Sequence, residues 1–374
     1  MSGAAKRLKL GMVGGGQGAF IGGVHRIAAR IDGKWDLVAG ALSSDPTRAA
    51  ASAEELGIAS DRSYTSFEEM ARAEAARAEA ARADGIDAVA IVTPNHLHAA
   101  PAIAFLNAGI HVICDKPLTA TQEQAEALAA AARASSARFI LTHNYTGYPL
   151  IRLAREMVAR GDLGDVRVVQ AEYAQDWLTE AAENKQADWR TDPARAGAGA
   201  IGDIGTHAFN LLSFVSGLRA EALSADLHSF VPGRTVDDNA HILLRLAGGA
   251  RGMVWASQVA VGNENALRLR IYGDKGGLEW EQENPNQMRF TRFGEAPRIL
   301  TRGTGEATSG TRIPPGHPEG YLEGFANLYS EAADLIAGRT ETSVLPGLEE
   351  GLDGMWFITA CLRSAEKDGG WVHR

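Results

Sequence analysis

Hydrophobic positions in the first part of the chain come in short, nearly continuous runs separated by amphipathic segments. The runs lie at residues 8–13, 35–42, 86–92, 110–114 and 139–141. A helical repeat such as that of residues 20–31 follows a run, and the run at 139–141 is interpreted as the sixth strand. Continuous apolar strands that alternate with helices predict an α/β fold beginning with a doubly wound parallel sheet.

The pattern changes after residue 149, where a helical segment leads into longer strands with alternating polarity. These strands are predicted at residues 166–174, 222–228, 241–246, 252–258, 267–272, 277–280 and 288–293. Glycine-rich links such as Ala247-Gly248-Gly249 join several of them, which favours a second α/β domain with one large, mostly antiparallel sheet. We therefore predict two domains, 1–146 and 147–374, with a terminal helix at 347–367 that packs back.

Composition and charge exclude several classes of function. The chain has 374 residues, 45% hydrophobic content and a net charge of -9. An acidic balance argues against nucleic acid or an anionic membrane as the partner. The apolar run near the start is interrupted at once by glycines, so it does not form a signal peptide, and no run is long enough to span a bilayer. Two cysteines provide neither a disulfide framework nor a metal site, and we expect a soluble, cytoplasmic protein.

A glycine loop follows the first strand. Residues 14–19 read G-G-G-Q-G-A, which matches the G-x-G-x-x-A pattern between a strand and a helix. Glycine is needed there because the pyrophosphate of a dinucleotide approaches the backbone closely at a helix N-terminus. The loop predicts cofactor contacts from Gly14, Gly16, Gln17, Ala19 and Phe20.

The end of the second strand bears on the choice of cofactor. Ser43, Ser44, Asp45 and Arg48 stand where the adenosine ribose is expected. A carboxylate accepts hydrogen bonds from the ribose hydroxyls and repels a 2′-phosphate, whereas serine and arginine favour that phosphate. We predict NAD with contacts from Ser43, Asp45 and Arg48, and NADP remains the alternative.

A lysine stands at the carboxyl end of the fourth apolar run. Asp115-Lys116-Pro117 follows residues 110–114, and ligands bind at that edge of an open α/β sheet. Proline cannot continue the ladder, so it holds Lys116 at the rim; an ordinary surface lysine is the alternative. Polar residues after the neighbouring runs are also expected to contact the cofactor, and with Asp115 and Lys116 this group comprises Thr93, Asn95, His98 and Asn144.

Two histidines after the third run raise the question of a metal. His96 and His98 form a His-x-His pair, but no third ligand lies near them in the sequence. We predict no metal and interpret this segment as a loop that lines the cofactor.

A second stretch with candidate catalytic residues runs from Gly197 to His207 and is rich in glycine. Asp203 and His207 are four residues apart, so they share one face of a helix. A carboxylate and an imidazole placed together form a credible acid/base pair. The alternative is a capping aspartate and a hydrogen-bonded core histidine.

Taken together, these motifs resemble the glucose-fructose oxidoreductase / inositol dehydrogenase (Gfo/Idh/MocA) family. The resemblance covers nearly the whole chain and depends most on Asp115-Lys116-Pro117 in combination with residues 202–207, G-D-I-G-T-H. The family more often has glutamate at the position of Asp115. The resemblance implies a Rossmann domain followed by an α/β domain whose open sheet commonly forms dimer or tetramer contacts.

The resemblance also implies roles for the candidate residues. Lys116 would hydrogen-bond the reacting oxygen of the substrate, a cyclic polyol or sugar, and His207 would exchange its proton. Asp203 would position the substrate or tune the pair of Lys116 and His207. Hydroxyl-rich ligands need many hydrogen-bond partners and an aromatic platform, and further residues near strand and loop ends are candidates to supply them, a structural role being the alternative for each: Tyr145, Tyr148, Asp176, Trp177, Arg190 and His317. Two alternatives to a dehydrogenase stay open, a redox glycosidase that uses NAD only transiently and a non-catalytic cofactor-sensing regulator.

Overall fold

The computed structural model describes residues 6–79, 84–180 and 197–374. The chain forms two compact units, each with its own sheet. The first comprises Met1–Asn144 and Leu322–Leu352, and the second comprises Tyr145–Tyr321 and Asp353–Arg374. No helix in the described part of the chain is long and apolar enough to cross a membrane.

The first unit is built on a five-stranded sheet. All its strand pairs are parallel and the order is β2-β1-β3-β4-β5. The strands are β1 (Leu8–Gly14), β2 (Trp35–Ala41), β3 (Ala88–Val92), β4 (His111–Asp115) and β5 (Phe139–Thr142). The predicted doubly wound parallel sheet is confirmed, but the count of six strands was wrong, because only five apolar runs precede the second unit.

Burial explains why these runs form strands. Every residue of β3 is buried, so the strand needs apolar side chains on both of its faces. The helices between the strands supply the cover: α1 packs against β2 and β3, and α4 packs against β3 and β4. The helices of this unit are α1 (Phe20–Ile31), α2 (Pro46–Glu55), α3 (Phe67–Glu79), α4 (Ala99–Asn107), α5 (Gln122–Ala134) and α8 (Tyr321–Ile336), together with the start of α9 (Leu348–Ala365).

The second unit contains a nine-stranded sheet in the order β13-β12-β11-β10-β6-β9-β8-β7-β14. Its pairs are antiparallel except for β6 with β9, which confirms the predicted large and mostly antiparallel sheet. The strands are β6 (Val166–Ala174), β7 (Ala220–His228), β8 (Asn239–Leu246), β9 (Arg251–Ser257), β10 (Ala266–Gly273), β11 (Gly276–Glu281), β12 (Gln287–Arg292), β13 (Arg298–Thr301) and β14 (Val372–His373). The sequence patterns missed β13 and β14, which are short strands at the two edges.

Helices among the described residues pack on the buried face of this sheet. α6 (Pro149–Ala159) packs against α7 (Thr206–Ser216), and α7 packs against β6, β9 and β10. The outward positions of β8 alternate with buried ones, and Leu243 on that outer face is 53% exposed. The helix that carries His207 therefore rests on the buried face of the sheet.

Candidate functional site

The glycine loop joins β1 to α1 by a close approach of two backbones. Gly14 and Gly15 have φ values of 78° and 72°, a region that L side chains rarely adopt. A Cβ at Gly22 would lie 2.4 Å from the Cα of Gly15, so helix and loop touch without side chains between them. A Cβ at Gly16 would lie 2.8 Å from the carbonyl oxygen of Leu42. The loop thus leaves its backbone accessible beside the N-terminus of α1, which suits the pyrophosphate of a dinucleotide.

Side chains around the loop hold it in place. Arg26 Nη1 donates to the carbonyl oxygen of Gly15 at 2.5 Å, and burial lowers the pKa of this guanidinium. The backbone N–H of Gln17 donates to Ser52 Oγ at 3.1 Å, and its side-chain amide donates to Glu55 Oε2 at 3.0 Å. A cavity of about 310 Å³ opens here. It is lined by Gly16, Gln17, Gly18, Ala19, Phe20, Arg26, Ser52, Glu55 and Leu56.

The residues after β2 form the start of α2. Asp45 is the N-cap of this helix, and its Oδ1 accepts from the backbone N–H of Arg48 at 2.8 Å. Ser43 Oγ accepts from the N–H of Asp45 at 3.1 Å. Asp45 is exposed, so the same carboxylate that caps α2 is also accessible to a ribose.

The loops after β3 and β4 are tied together by His98. This side chain is fully buried, with Nδ1 at 2.8 Å from the carbonyl oxygen of Pro117 and Nε2 at 2.9 Å from that of Thr93. Burial lowers the pKa of His98. Both ring nitrogens therefore lie against backbone, and the geometry favours a role in fixing these loops over direct contact with a cofactor. Asn95 is also buried, at 6% exposure.

The register of β4 and β5 places Asp115 beside Thr142. Asp115 Oδ1 accepts from the backbone N–H of Lys116 at 2.9 Å and from Thr142 Oγ1 at 3.1 Å, so the carboxylate fixes the turn that carries the lysine. Burial, with the charge of Lys116, lowers the pKa of His143 to about 3, so this imidazole is neutral. Asn144 is 2% exposed, and its Nδ2 has no hydrogen-bond partner among the residues that the structure covers, which leaves that N–H group for a ligand.

In the second unit, Asp203 and His207 lie at the entry to α7. Residues Ile201–Gly205 form a π-helical turn, a feature often found at functional sites, and α7 continues from Thr206. Asp203 Oδ2 accepts from Gln258 Nε2 at 3.0 Å. His207 is 8% exposed, and its ring meets that of Tyr145 edge-on at 4.9 Å between centroids. One continuous helical segment therefore carries both the carboxylate and the imidazole.

Asp237 anchors the backbone just before this turn. Its two carboxylate oxygens accept from the N–H groups of Gly199 and Ile201, each at 2.8 Å. Desolvation raises the pKa of Asp237 to about 6. A Cβ at Gly199 would lie 1.8 Å from the carbonyl oxygen of Asp237, so this contact requires glycine. Sequence reasoning missed Asp237, and its only signal was a pair of aspartates between two predicted strands.

Tyr145 and Tyr148, predicted to bind substrate, are only 3% and 1% exposed. Tyr145 Oη lies 2.6 Å from Tyr173 Oη, and Tyr173 donates its proton to Asn265 Oδ1 at 2.7 Å. Because Tyr173 has a single hydroxyl proton, Tyr145 is the donor in the short contact between the two tyrosines. Burial raises the pKa of Tyr173 well above its usual value, so that proton stays in place. Neither Tyr173 nor Asn265 was a sequence candidate.

The remaining substrate candidates are dispersed over the second unit. Asp176 Oδ2 accepts from the N–H of Gly262 at 3.0 Å, and Trp177, which is 36% exposed, donates from Nε1 to Gln175 Oε1 at 3.0 Å. His317 is exposed on a loop held by the buried guanidinium of Arg302. Arg190 lies outside the described residues. Within the parts of the chain that are described, no three His, Cys, Asp or Glu side chains gather to hold a metal ion.

Comparison with known families identifies both units. Residues 8–143 match the oxidoreductase family with an NAD-binding Rossmann fold, and residues 151–279 match the Gfo/Idh/MocA C-terminal domain. A crystal structure of an oxidoreductase from Sinorhizobium meliloti is 54% identical, with a TM-score of 0.89 and coverage of 98% of this chain and 99% of that one.

Two further relatives carry names that describe their chemistry. An inositol dehydrogenase homologue from Azotobacter vinelandii, solved with NAD+, is 37% identical with a TM-score of 0.92 over 99% of this chain and 98% of its own. The same homologue was also solved with NADH and myo-inositol. Levoglucosan dehydrogenase from Pseudarthrobacter phenanthrenivorans is 28% identical over 98% of each chain.

Proposed function

The chain belongs to the Gfo/Idh/MocA family of NAD-binding oxidoreductases, and we propose that it is a dehydrogenase for a secondary hydroxyl of a cyclic polyol or sugar. The observation that carries the proposal is the segment holding Asp203 and His207, since a carboxylate and a nearly buried imidazole share the entry to α7. Bound NAD supplies the hydride acceptor for this reaction.

The roles of the side chains follow from what oxidation of an alcohol requires. The hydroxyl proton needs a base, and we assign it to His207. The oxygen, as it becomes a carbonyl, needs a hydrogen-bond donor, and we assign this to Lys116. Asp203, held by Gln258, orients the substrate or the imidazole.

In the first unit, we assign some residues to direct contact with the cofactor and others to fixing the loops around it. The glycine loop and the N-terminus of α1 hold the pyrophosphate, and the exposed carboxylate of Asp45 reads the ribose. The amide of Asn144 is a donor for the rest of the cofactor. Asp115 and His98 fix the loops after β3 and β4 through hydrogen bonds to their backbone.

The substrate class is proposed from the named relatives and from the polar, aromatic character of the second unit. One relative was solved with NADH and myo-inositol and another is a levoglucosan dehydrogenase, so both named ligands are cyclic and hydroxyl-rich. The exposed Trp177 and the loop bearing His317 offer an aromatic face and polar partners for such a ring.

The structure bears on the rival redox glycosidase, which also needs a group for a second proton transfer. Tyr145, Tyr148 and Asp176 are the residues that could supply it. Tyr145 donates its hydroxyl proton to Tyr173, and Tyr148 is only 1% exposed. Asp176 remains, with one oxygen accepting from backbone. The dehydrogenase is therefore favoured. A cofactor-sensing regulator needs no Lys116, Asp203 and His207, so their presence together argues against that rival.

The experiment compares the wild type with Lys116→Ala and His207→Ala on a panel of cyclic polyols, monosaccharides, anhydrosugars and glycosides. We expect cofactor reduction by the wild type and a fall in kcat of roughly 10² to 10⁴ in each variant, the usual contribution of positioned proton transfer. NAD affinity should change much less, because the glycine loop and the end of the second strand carry most of that binding. Wild-type turnover in His207→Ala would exclude it as the base.

The nine-stranded sheet offers a surface for assembly. Among the described residues, the outward positions of β8 in the nine-stranded sheet are exposed and include the apolar Leu243, so we propose that this face forms a homodimer or homotetramer contact. The first unit is proposed to bind the cofactor and the second the substrate, and the protein is expected in the cytoplasm.

A further inference from the structure

A wholly buried histidine lies directly behind the turn that carries Lys116. His25, in α1, is fully shielded from solvent within the first unit. Its Nδ1 lies 2.9 Å from the hydroxyl oxygen of Tyr329 in α8, and its ring packs against that of Phe325 at 4.9 Å between centroids. The proposed reaction gives this imidazole no role, although burying its polar nitrogens costs free energy.

The second ring nitrogen faces a carboxylate. His25 Nε2 lies 4.0 Å from Asp115 Oδ1, which is too far for a hydrogen bond, and it has no other hydrogen-bond partner among the described residues. A lone pair at this nitrogen would point towards a negatively charged group, which is repulsive. The proton therefore belongs on Nε2, and Nδ1 must accept from the hydroxyl of Tyr329.

The protonation states around the pair support this tautomer. Burial lowers the pKa of His25, so the ring is neutral and carries one proton. Burial raises the pKa of Tyr329, so its hydroxyl keeps the proton that Nδ1 accepts. The indole N–H of Trp35 donates to the carbonyl oxygen of Tyr329 at 2.8 Å, which fixes α8 at this residue.

The carboxylate that His25 faces is the one that holds the lysine. The same oxygen, Asp115 Oδ1, accepts from the backbone N–H of Lys116 at 2.9 Å and from Thr142 Oγ1 at 3.1 Å. The side chain of Asp115 is 15% exposed, so few water molecules screen the N–H dipole of the imidazole from it.

We propose that His25, oriented by Tyr329, is a positioning residue for Lys116. Its buried Nε2–H group attracts the Asp115 carboxylate and keeps it where it accepts from the Lys116 backbone. The inference rests on the proposed function, in which Lys116 acts on the reacting oxygen, and it adds a residue pair from α1 and α8 that never touches the substrate.

The first test requires no turnover. Protein labelled with ¹⁵N at histidine gives imidazole resonances, and the His25 signals are identified by their loss in His25→Gln. We expect a neutral ring with Nε2 protonated and Nδ1 accepting at about pH 7 to 8, and a shift of the Nδ1 signal in Tyr329→Phe. A ring protonated on Nδ1, or a charged ring, in the wild type would overturn the inference.

The second test is a double-mutant cycle on kcat. His25→Leu should lower kcat about tenfold with little change in the NAD dissociation constant, because the group that contacts substrate is displaced while the glycine loop is not. His25→Gln, which retains an N–H donor, should recover most of the loss. In an Asp115→Asn background, His25→Leu should have no further effect.

The two tests separate failure of the inference from failure of the proposed function. Equal losses from His25→Leu in both backgrounds would mean that the histidine serves packing alone, and the inference would be wrong while the dehydrogenase stands. If Lys116→Ala kept full activity, the proposed role of the lysine would be wrong. The inference about His25 would then also be wrong, whichever tautomer the His25 ring adopts. Should His25→Leu fail to fold, Tyr329→Phe takes its place in the cycle, with the same criterion.

Discussion

The contact between Gly22 and the glycine loop offers a sharp test of how the fold builds the cofactor site. In Gly22→Ala, the new Cβ would lie 2.4 Å from Gly15 Cα and 2.8 Å from its carbonyl oxygen. Unbonded carbons prefer about 3.5 to 4.0 Å, so helix and loop must separate by roughly 1 Å. That oxygen also accepts from Arg26 Nη1, so the shift disturbs a charged hydrogen bond as well.

A matched control lies at the next position of the same helix. A Cβ at Gly23 would meet only Arg26 Nη2, at 3.9 Å, so Gly23→Ala adds a methyl group without a clash. Both substitutions gain about 1 kcal/mol of helix propensity. The difference between the variants is therefore the overpacking cost alone, about 1 to 3 kcal/mol.

Thermal unfolding and NAD titration measure the two consequences. Each kcal/mol of difference in the free energy of unfolding corresponds to about 2 to 4 °C in Tm for a unit of this size. We expect Gly23→Ala to have the higher Tm. Because Gly15 lies in the pyrophosphate loop, we expect the NAD dissociation constant of Gly22→Ala to rise tenfold or more, about 1.4 kcal/mol. Equal NAD affinity and equal Tm in the two variants would refute the close-packing account of the loop.

Two further substitutions test the cofactor choice and the anchor of the second unit. In Asp45→Ala, the preference for NAD over NADP should fall, as measured by the two dissociation constants; an unchanged ratio would mean that Asp45 only caps α2. Asp237→Asn tests the raised pKa of Asp237, which is about 6. Because the ionised carboxylate is disfavoured in the folded protein, the free energy of unfolding of the wild type relative to that of the variant should increase as pH falls from about 7 to 5. A stability difference that stays constant with pH would contradict a buried, titrating Asp237.

The sequence predicted the first unit well because its signals are local. A continuous apolar run, a glycine loop and a following amphipathic helix are each readable within about thirty residues, as at Leu8–Gly14 and Phe20–Ile31. The edge strands β13 and β14 were missed since they are short and owe their conformation to pairing with a neighbour.

The sequence predicted the motifs of the candidate site, but it did not predict the residues that hydrogen-bond to and position those motifs. Asp203 and His207 stood out by their spacing, whereas Gln258, Asp237 and Tyr173 come from separate strands and loops whose proximity one sequence does not reveal. Tyrosine side chains are ambiguous for a related reason. An apolar ring with a polar tip suits a ligand pocket and a buried hydrogen-bond network equally well, and Tyr145 belongs to such a network.

The most direct test of the central claim follows the hydrogen that leaves the substrate. The purified protein is incubated with NAD and members of the polyol and sugar panel that carry deuterium on carbon, and mass spectrometry then measures both the label in the cofactor and the amount of ketone. The account predicts that reduced cofactor accumulates in equal amount to ketone and carries one deuterium per molecule. Many turnovers of a glycoside per NAD without net reduced cofactor, or no label transfer from any member of the panel, would contradict it.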